Sequence, residues 1–268
     1  MKIALTQMDV AWENPVANEQ TIRRLVASAE ADGADMVVFP EFSFSGFTKR
    51  PQEFCDAPRR ERELEFLLEL SRACTPAIVA GRIAPACGLP RNNLTIVRGG
   101  KKLLSYDKIH SYSYGGETAV YSRGERVAVS EIGGVEWGAF ICYDLRFPEI
   151  FQAAARKAEA IVVIGNWPLE RIGNWFTLLR ARALETQCYI VGVNRVGEGS
   201  GIVYGPSSVV FGPEGDRLTP GTDAEVFCCQ IDPVRVNAVR EEFPLRRDRR
   251  EELYRTLLFR DPEDGRIR

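Results

Sequence analysis

"GAFICYDLRFPE", residues 138–149, decides how the rest of the chain is read. The apolar run Ala139-Phe140-Ile141 reads as the end of a buried strand, and it stops at Cys142. Tyr143, Asp144, Leu145 and Arg146 follow as a turn. Pro148 then takes a natural first helical position, with Glu149 in the first helical turn. A cysteine at such a junction is either a small buried hydrophobe or a nucleophile held at a sharp bend. Residues elsewhere have to separate the two readings.

The 268 residues are 45% hydrophobic and 27% charged, which allows a substantial core in one large domain or two small ones. Thirty-five basic residues against 37 acidic ones leave a net charge of −2, so no global field draws the chain to nucleic acid or to an anionic membrane. The basic cluster Arg246-Arg247-Asp248-Arg249-Arg250 is followed at once by Glu251 and Glu252 and reads as an ion-paired helix start. The opening "MKIALTQMDV" is too short and polar for a secretory signal, and no apolar stretch approaches a membrane span. Seven scattered cysteines, no C-x-x-C and a single histidine argue against a disulfide framework or a zinc site. The expected setting is the cytoplasm, with free thiols and no metal.

Ten short runs read as strands, from "KIALTQ" and "DMVVFP" through "PAIVAGR", "NLTIVRG", "KKLLSYDK", "EWGAFIC", "AIVVIGN", "CYIVGVN" and "SSVVF" to "EVFCCQI". Gly99-Gly100 and Gly133-Gly134 mark hairpins, and "GPEGD" marks a further turn. Helical periodicity covers 18–31, where Ile22, Leu25, Val26 and Ala29 recur at i, i+3, i+4 and i+7. Further helices are predicted over 58–73, from Pro148, over 177–187 and over 248–258. With no linker and no repeat, residues 1–268 read as one layered α/β domain. Two packed sheets with helices outside both suit ten strands better than one very wide sheet.

In such folds ligands collect at the carboxyl ends of strands. Here four strand ends carry reactive or polar groups: Glu41, Lys108, Cys142, and Asn166 followed by Trp167. Any one of them alone is ordinary surface or capping chemistry. A thiol nucleophile needs a base or a cation to yield thiolate, and His110 is the one histidine available. The competing arrangement is a glutamate base in dry surroundings with a lysine stabilising charge on a carbonyl oxygen.

These stretches resemble the nitrilase superfamily of carbon–nitrogen hydrolases. The likeness rests on "VVFPEFSFSGF", "YDKIH", "FICYDLRFPE", "NWP", "LLRARALETQCYIVGVNRVG" and "GPSSVVFGPEGD", in that order along nearly the whole chain. The resemblance implies a four-layer αββα sandwich and a catalytic glutamate, lysine and cysteine at Glu41, Lys108 and Cys142. It also implies a supporting glutamate at Glu117, which the residues alone would equally pair with Arg123 or Arg126. It implies hydrolysis of a small linear amide through a thioester, with the Tyr143 N–H helping to hold the oxyanion and no cofactor. "CYDLRFPE" is most similar to the omega-amidase branch, which acts on amides of dicarboxylates such as 2-oxoglutaramate. N-carbamoyl, other aliphatic amide and nitrile substrates stand as alternatives, as does a catalytically idle binding subunit. Arg146 is the candidate reader of a substrate carboxylate, against an elbow-stiffening pair with Asp144 or Glu149. Trp167 is expected in the pocket, and Asp144 is expected to support the elbow. By the same resemblance the chain is expected to form a homodimer or larger homo-oligomer, with the tail at about 245–268 reaching a partner subunit.

Overall fold

In the computed structural model, residues 1–56 and 61–259 are described. Their strands are β1 (Lys2–Thr6), β2 (Met36–Val38), β3 (Ala77–Ala84), β4 (Arg91–Arg98), β5 (Lys101–Asp107), β6 (Val129–Ile132), β7 (Val135–Ile141), β8 (Ala160–Gly165), β9 (Tyr189–Asn194), β10 (Gly197–Gly199), β11 (Ile202–Tyr204), β12 (Val209–Phe211) and β13 (Val226–Gln230). The helices are α1 (Pro15–Ala31), α2 (Gln52–Cys55), α3 (Arg62–Arg72), α4 (Pro148–Ala155), α5 (Ile172–Thr186), α6 (Pro233–Glu242) and α7 (Glu251–Phe259). None is long and apolar enough to cross a membrane.

The strands form two mixed sheets, β13-β1-β2-β3-β4-β5 and β12-β9-β8-β7-β6, while β10 and β11 pair only with each other. Strand alternation divides the core into layers. Ile3, Leu5, Val38 and Val79 face the second sheet and join Trp137, Ala139 and Val162 in the central core. Ala4, Val37, Ile78 and Ala80 face outward and pack with Ile22, Leu25 and Val26 of α1 and Phe66, Leu67 and Leu70 of α3. On the outer side of the second sheet, Phe151 and Ala154 of α4 and Trp175, Leu179 and Ala183 of α5 complete the fourth layer. The result is the αββα sandwich.

Strands β1, β2 and β3 run parallel, as do β7, β8 and β9. Strand β5 returns parallel to β3 by way of the antiparallel β4. The carboxyl ends of β2 and β5 therefore open on one edge of their sheet, and those of β7, β8 and β9 open on one edge of theirs.

The sequence reading misses the hairpin β10–β11 and the short β6, whose period-2 signal is weak at three or four residues. It misses α6 as well, although Asp232 caps that helix by accepting from the Val234 N–H and Pro233 begins it. Helix α5 begins at Ile172, ahead of the 177–187 expectation, because Gly173 and Asn174 interrupt the periodic stripe. Residues 58–60 of the predicted helix over 58–73, and the tail from 260 onward, lie outside the described residues. The start of the tail folds back on its own chain: Arg246 Nη2 donates to the Thr186 carbonyl at 2.8 Å.

Candidate active site

The chain turns out of β7 into a short 3-10 turn, Cys142–Arg146, with Cys142 at φ +48°. A left-handed backbone is unusual for a residue with a Cβ, so neighbouring bonds must hold it. Asp144 does so from a fully buried position: its carboxylate accepts from the Ile141 N–H (3.2 Å), the Tyr106 hydroxyl (2.8 Å) and the His110 N–H (2.9 Å). Asp144 is thus the expected support of the elbow.

Glu41 follows β2 in a loop that crosses β3 at Gly81. A Cβ at Gly81 would come within 2.7 Å of the Glu41 Cα and 2.5 Å of the Phe42 N, so only glycine lets the loop pass this close. One Glu41 oxygen accepts from Lys108 Nζ at 2.9 Å and from Asn92 Nδ2 at 2.7 Å, and the other from the Asn166 N–H at 3.0 Å. Glu117 accepts from Lys108 Nζ at 2.9 and 3.1 Å, from Asn92 Nδ2 at 2.8 Å and from the Tyr112 N–H at 2.6 Å. The pairing of Glu117 with Arg123 or Arg126 is therefore replaced by one with Lys108, and Asn92 bridges the two carboxylates.

All three charges are buried. Burial pulls the Lys108 ammonium down, but Glu117 and then Glu41 outweigh it and hold it well above the usual lysine range. Burial and the neighbouring Glu41 push the Cys142 thiol well above its ordinary value, against the pull of Lys108 and the Asn166 N–H. The resting sulfur is a thiol, so proton removal has to accompany attack.

Glu41, Lys108, Glu117 and Cys142 line one cavity of about 280 Å³ with Tyr143, Arg146, Asn166 and Trp167. The sequence-derived candidates thus meet in one place. Trp167 is fixed by its N–H to Asn194 Oδ1 (2.7 Å) and its ring N–H to the Arg171 carbonyl (2.8 Å). The Arg146 guanidinium lies 5.1 Å from the Trp167 ring centre. No carboxylate among the described residues pairs with it, so the elbow-stiffening pair with Asp144 or Glu149 does not form. His110 instead bonds Asp144 through Nδ1 at 2.9 Å and stacks on Phe147 at 3.7 Å, behind the elbow. It is not among the cavity-lining residues, and the cysteine–histidine arrangement is not what the fold assembles.

Sequence reasoning missed Lys49, Arg171, Tyr112, Trp12 and Tyr204, which also line the cavity. Trp12, Lys49 and Tyr112 lie on loops, Arg171 in a 3-10 turn and Tyr204 at the end of the short β11, all without periodic or motif signals. Asn92 did have a signal, since two adjacent asparagines at the start of a strand that runs into Leu94, Ile96 and Val97 demand buried partners.

A family model described as carbon-nitrogen hydrolase matches residues 2–241. The chain belongs to the carbon-nitrogen hydrolase family. This carbon-nitrogen hydrolase is 30% identical over 251 residues to the omega-amidase YafV of Yersinia enterocolitica, covering 91% of this chain and 94% of that protein. It is 28% identical over 257 residues to the 2-oxoglutaramate amidase of Bacillus subtilis, covering 94% and 98%. Among solved structures, a CN-hydrolase superfamily protein of Xanthomonas campestris with an arsenic adduct in its active site matches with a TM-score of 0.85. That match has 27% identity over 93% of this chain and 97% of the other. A glutamate-to-glutamine mutant of the Nesterenkonia amidase, with acrylamide added to its active-site cysteine, matches with a TM-score of 0.84. Here identity is 26% over 96% of this chain and 99% of the other. The chain is accordingly a hydrolase of carbon–nitrogen bonds in amides.

Proposed function

We propose that this enzyme releases ammonia from a small amide bearing a carboxylate at its far end, of the 2-oxoglutaramate type, through a Cys142 thioester. Glu41 takes the thiol proton as Cys142 attacks the amide carbon. The resulting oxyanion is held by the Lys108 ammonium and the Tyr143 N–H. Collapse of the tetrahedral adduct breaks the C–N bond, Glu41 returns the proton to the leaving nitrogen, and ammonia departs. Glu41 then deprotonates water, which attacks the thioester and frees the acid and the thiol. Glu117 touches no reacting atom in this scheme. It keeps Lys108 charged and aimed.

The observation that carries the substrate assignment is the charge balance of the wall beyond the triad. Lys49, Arg146 and Arg171 line it; Arg171 pairs with Glu170 at 3.3 Å, while among the described residues the lining carboxylates, Glu41 and Glu117, are already engaged by Lys108. A guanidinium without a carboxylate partner suits bidentate binding of a substrate carboxylate. The similarity to the omega-amidase YafV and the 2-oxoglutaramate amidase supports the same class. A second reading, a neutral amide, draws on the aromatic lining by Trp12, Phe47, Tyr143 and Trp167. Ammonia release measured across 2-oxoglutaramate, succinamate, N-carbamoyl compounds, nitriles and neutral aliphatic amides decides between them. Intact mass of trapped enzyme should show an acyl adduct on Cys142. Higher kcat/KM on neutral amides than on carboxylate-bearing ones would refute the proposal.

A homodimer is part of the same proposal, supported by the exposed Val234 and Phe243 on and beside α6. Sedimentation at micromolar concentration tests it, and a monomer would refute it.

A further inference from the structure

The cavity wall made by the hairpin β10–β11 has no sheet to hold it. The two strands pair only with each other, and an isolated two-stranded hairpin is marginal in water. Its turn, Ser200-Gly201, has φ +51° and +76°, the two-residue geometry that matches strand twist but gives no anchorage. Two residues of β11, Ile202 and Val203, are exposed. Yet Gly199, Ser200, Ile202 and Tyr204 all line the cavity, so something else must fix them.

That role falls to Arg195, the first residue after β9. Its side chain is fully buried. Nη2 donates to the Val10 carbonyl (3.0 Å), the Glu198 carbonyl (3.0 Å) and Asp9 Oδ1 (3.3 Å), and Nε donates to the Val196 carbonyl at 3.2 Å. These acceptors belong to two separate segments: the loop after β1, which brings Trp12 to the cavity, and the approach to the hairpin. The guanidinium also lies 4.6 Å from the ring centre of Tyr204. The fit leaves no slack, since a Cβ on Gly199 would lie 2.8 Å from Arg195 Nη1 and 3.1 Å from the Trp12 ring. Burial pushes the Tyr204 phenol up to about 12, so its hydroxyl stays a neutral donor at working pH.

We propose that Arg195 is a positioning residue that clamps the hairpin to the loop after β1, and that Tyr204, which it backs, contacts the acyl chain and sets which amides fit. The proposal rests on amide hydrolysis in this cavity and not on the carboxylate assignment.

The test uses the full chain with Arg195→Met and Tyr204→Phe. The substrates are acetamide, with the shortest acyl group, and hexanamide and succinamate, whose acyl groups extend further from Cys142. The quantity read is the ratio of kcat/KM for each long amide to that for acetamide, because damage to the triad or to folding moves both alike. Arg195→Met should lower the ratio by about 10-fold or more, with the loss in KM, as several charge-assisted bonds are removed together. Tyr204→Phe should lower it by about 10-fold or more on succinamate, the effect of one hydrogen bond to a charged carboxylate. Equal losses on acetamide and on both long amides, in either folded variant, would overturn the proposal. If Arg195→Met does not fold, Tyr204→Phe decides alone. Should wild type reject succinamate but accept hexanamide, the carboxylate assignment fails while the hexanamide ratio still tests the clamp through Arg195→Met.

Discussion

Lys108 and Arg146 line the same cavity with opposite surroundings. Lys108 is buried between two carboxylates that also share Asn92, so its charge is matched before any substrate arrives. Arg146 is half-buried, rests near the Trp167 ring and has no carboxylate partner among the described residues. A buried cation without counter-charge would be costly, whereas a half-buried guanidinium keeps part of its hydration. The contrast separates two tasks. A compensated charge is fixed and serves a transient oxyanion, while an uncompensated one awaits a permanent anion on the ligand.

The largest effects should come from the compensated end. Cys142→Ala should bring ammonia release to the detection limit with the fold retained by circular dichroism. Glu41→Gln should lower kcat by about 10²–10⁴-fold, as loss of a general base does. His110→Asn should cost far less, because that ring lies behind the elbow, and the reverse ranking would restore histidine as the base. Glu117→Gln should lower kcat by about 10²–10³-fold, since a mis-aimed Lys108 removes one stabiliser of the oxyanion. A change in KM alone would break the distinction drawn for Lys108.

At the uncompensated end, Arg146→Met should cost about 10–150-fold in kcat/KM on carboxylate-bearing amides, the value of a hydrogen bond to a charged group. It should cost much less on neutral amides. Equal losses would mean that Arg146 only props Trp167.

Glu63 sharpens the comparison from outside the cavity. It is a buried carboxylate that accepts from the Ile83 N–H at 2.8 Å but lacks the lysine that Glu41 and Glu117 share. Burial raises it from an ordinary 4.5 to about 8. Between those values the folded protein holds a proton that the unfolded chain has lost. Its contribution to stability is therefore complete below about 4.5 and is lost as pH rises through 8. Glu63→Gln should flatten the decline of Tm between pH 5 and 8. An unchanged slope would show that Glu63 does not titrate in this range.

Much of the site was legible because it sits on short, strongly patterned segments. "VVFPE", "YDK" and "GAFICYD" each join an apolar strand to a reactive residue at its carboxyl end, and parallel strands bring such ends to one edge. Arg171, Lys49 and Tyr204 were not legible, because the direction of a side chain on a loop, a short turn or an isolated hairpin depends on contacts far away in sequence. Tyr204 is the plainest case. Nothing in "GIVYGP" points to a cavity, and its place follows from Arg195 gripping the carbonyl of Val10, 185 positions earlier.

The family resemblance picked out Glu41, Lys108 and Cys142; the sequence by itself determined the alternation of strands and helices, the strand end at Cys142 and the reactive residues at strand ends. These follow from local periodicity and from which side chains carry which groups. Only the tertiary structure decided that Glu117 pairs with Lys108, that His110 stands outside the cavity and that Arg146 has no carboxylate partner among the described residues. Each of those depends on which groups share a low-dielectric interior, and that is set by the packing of segments distant in the chain.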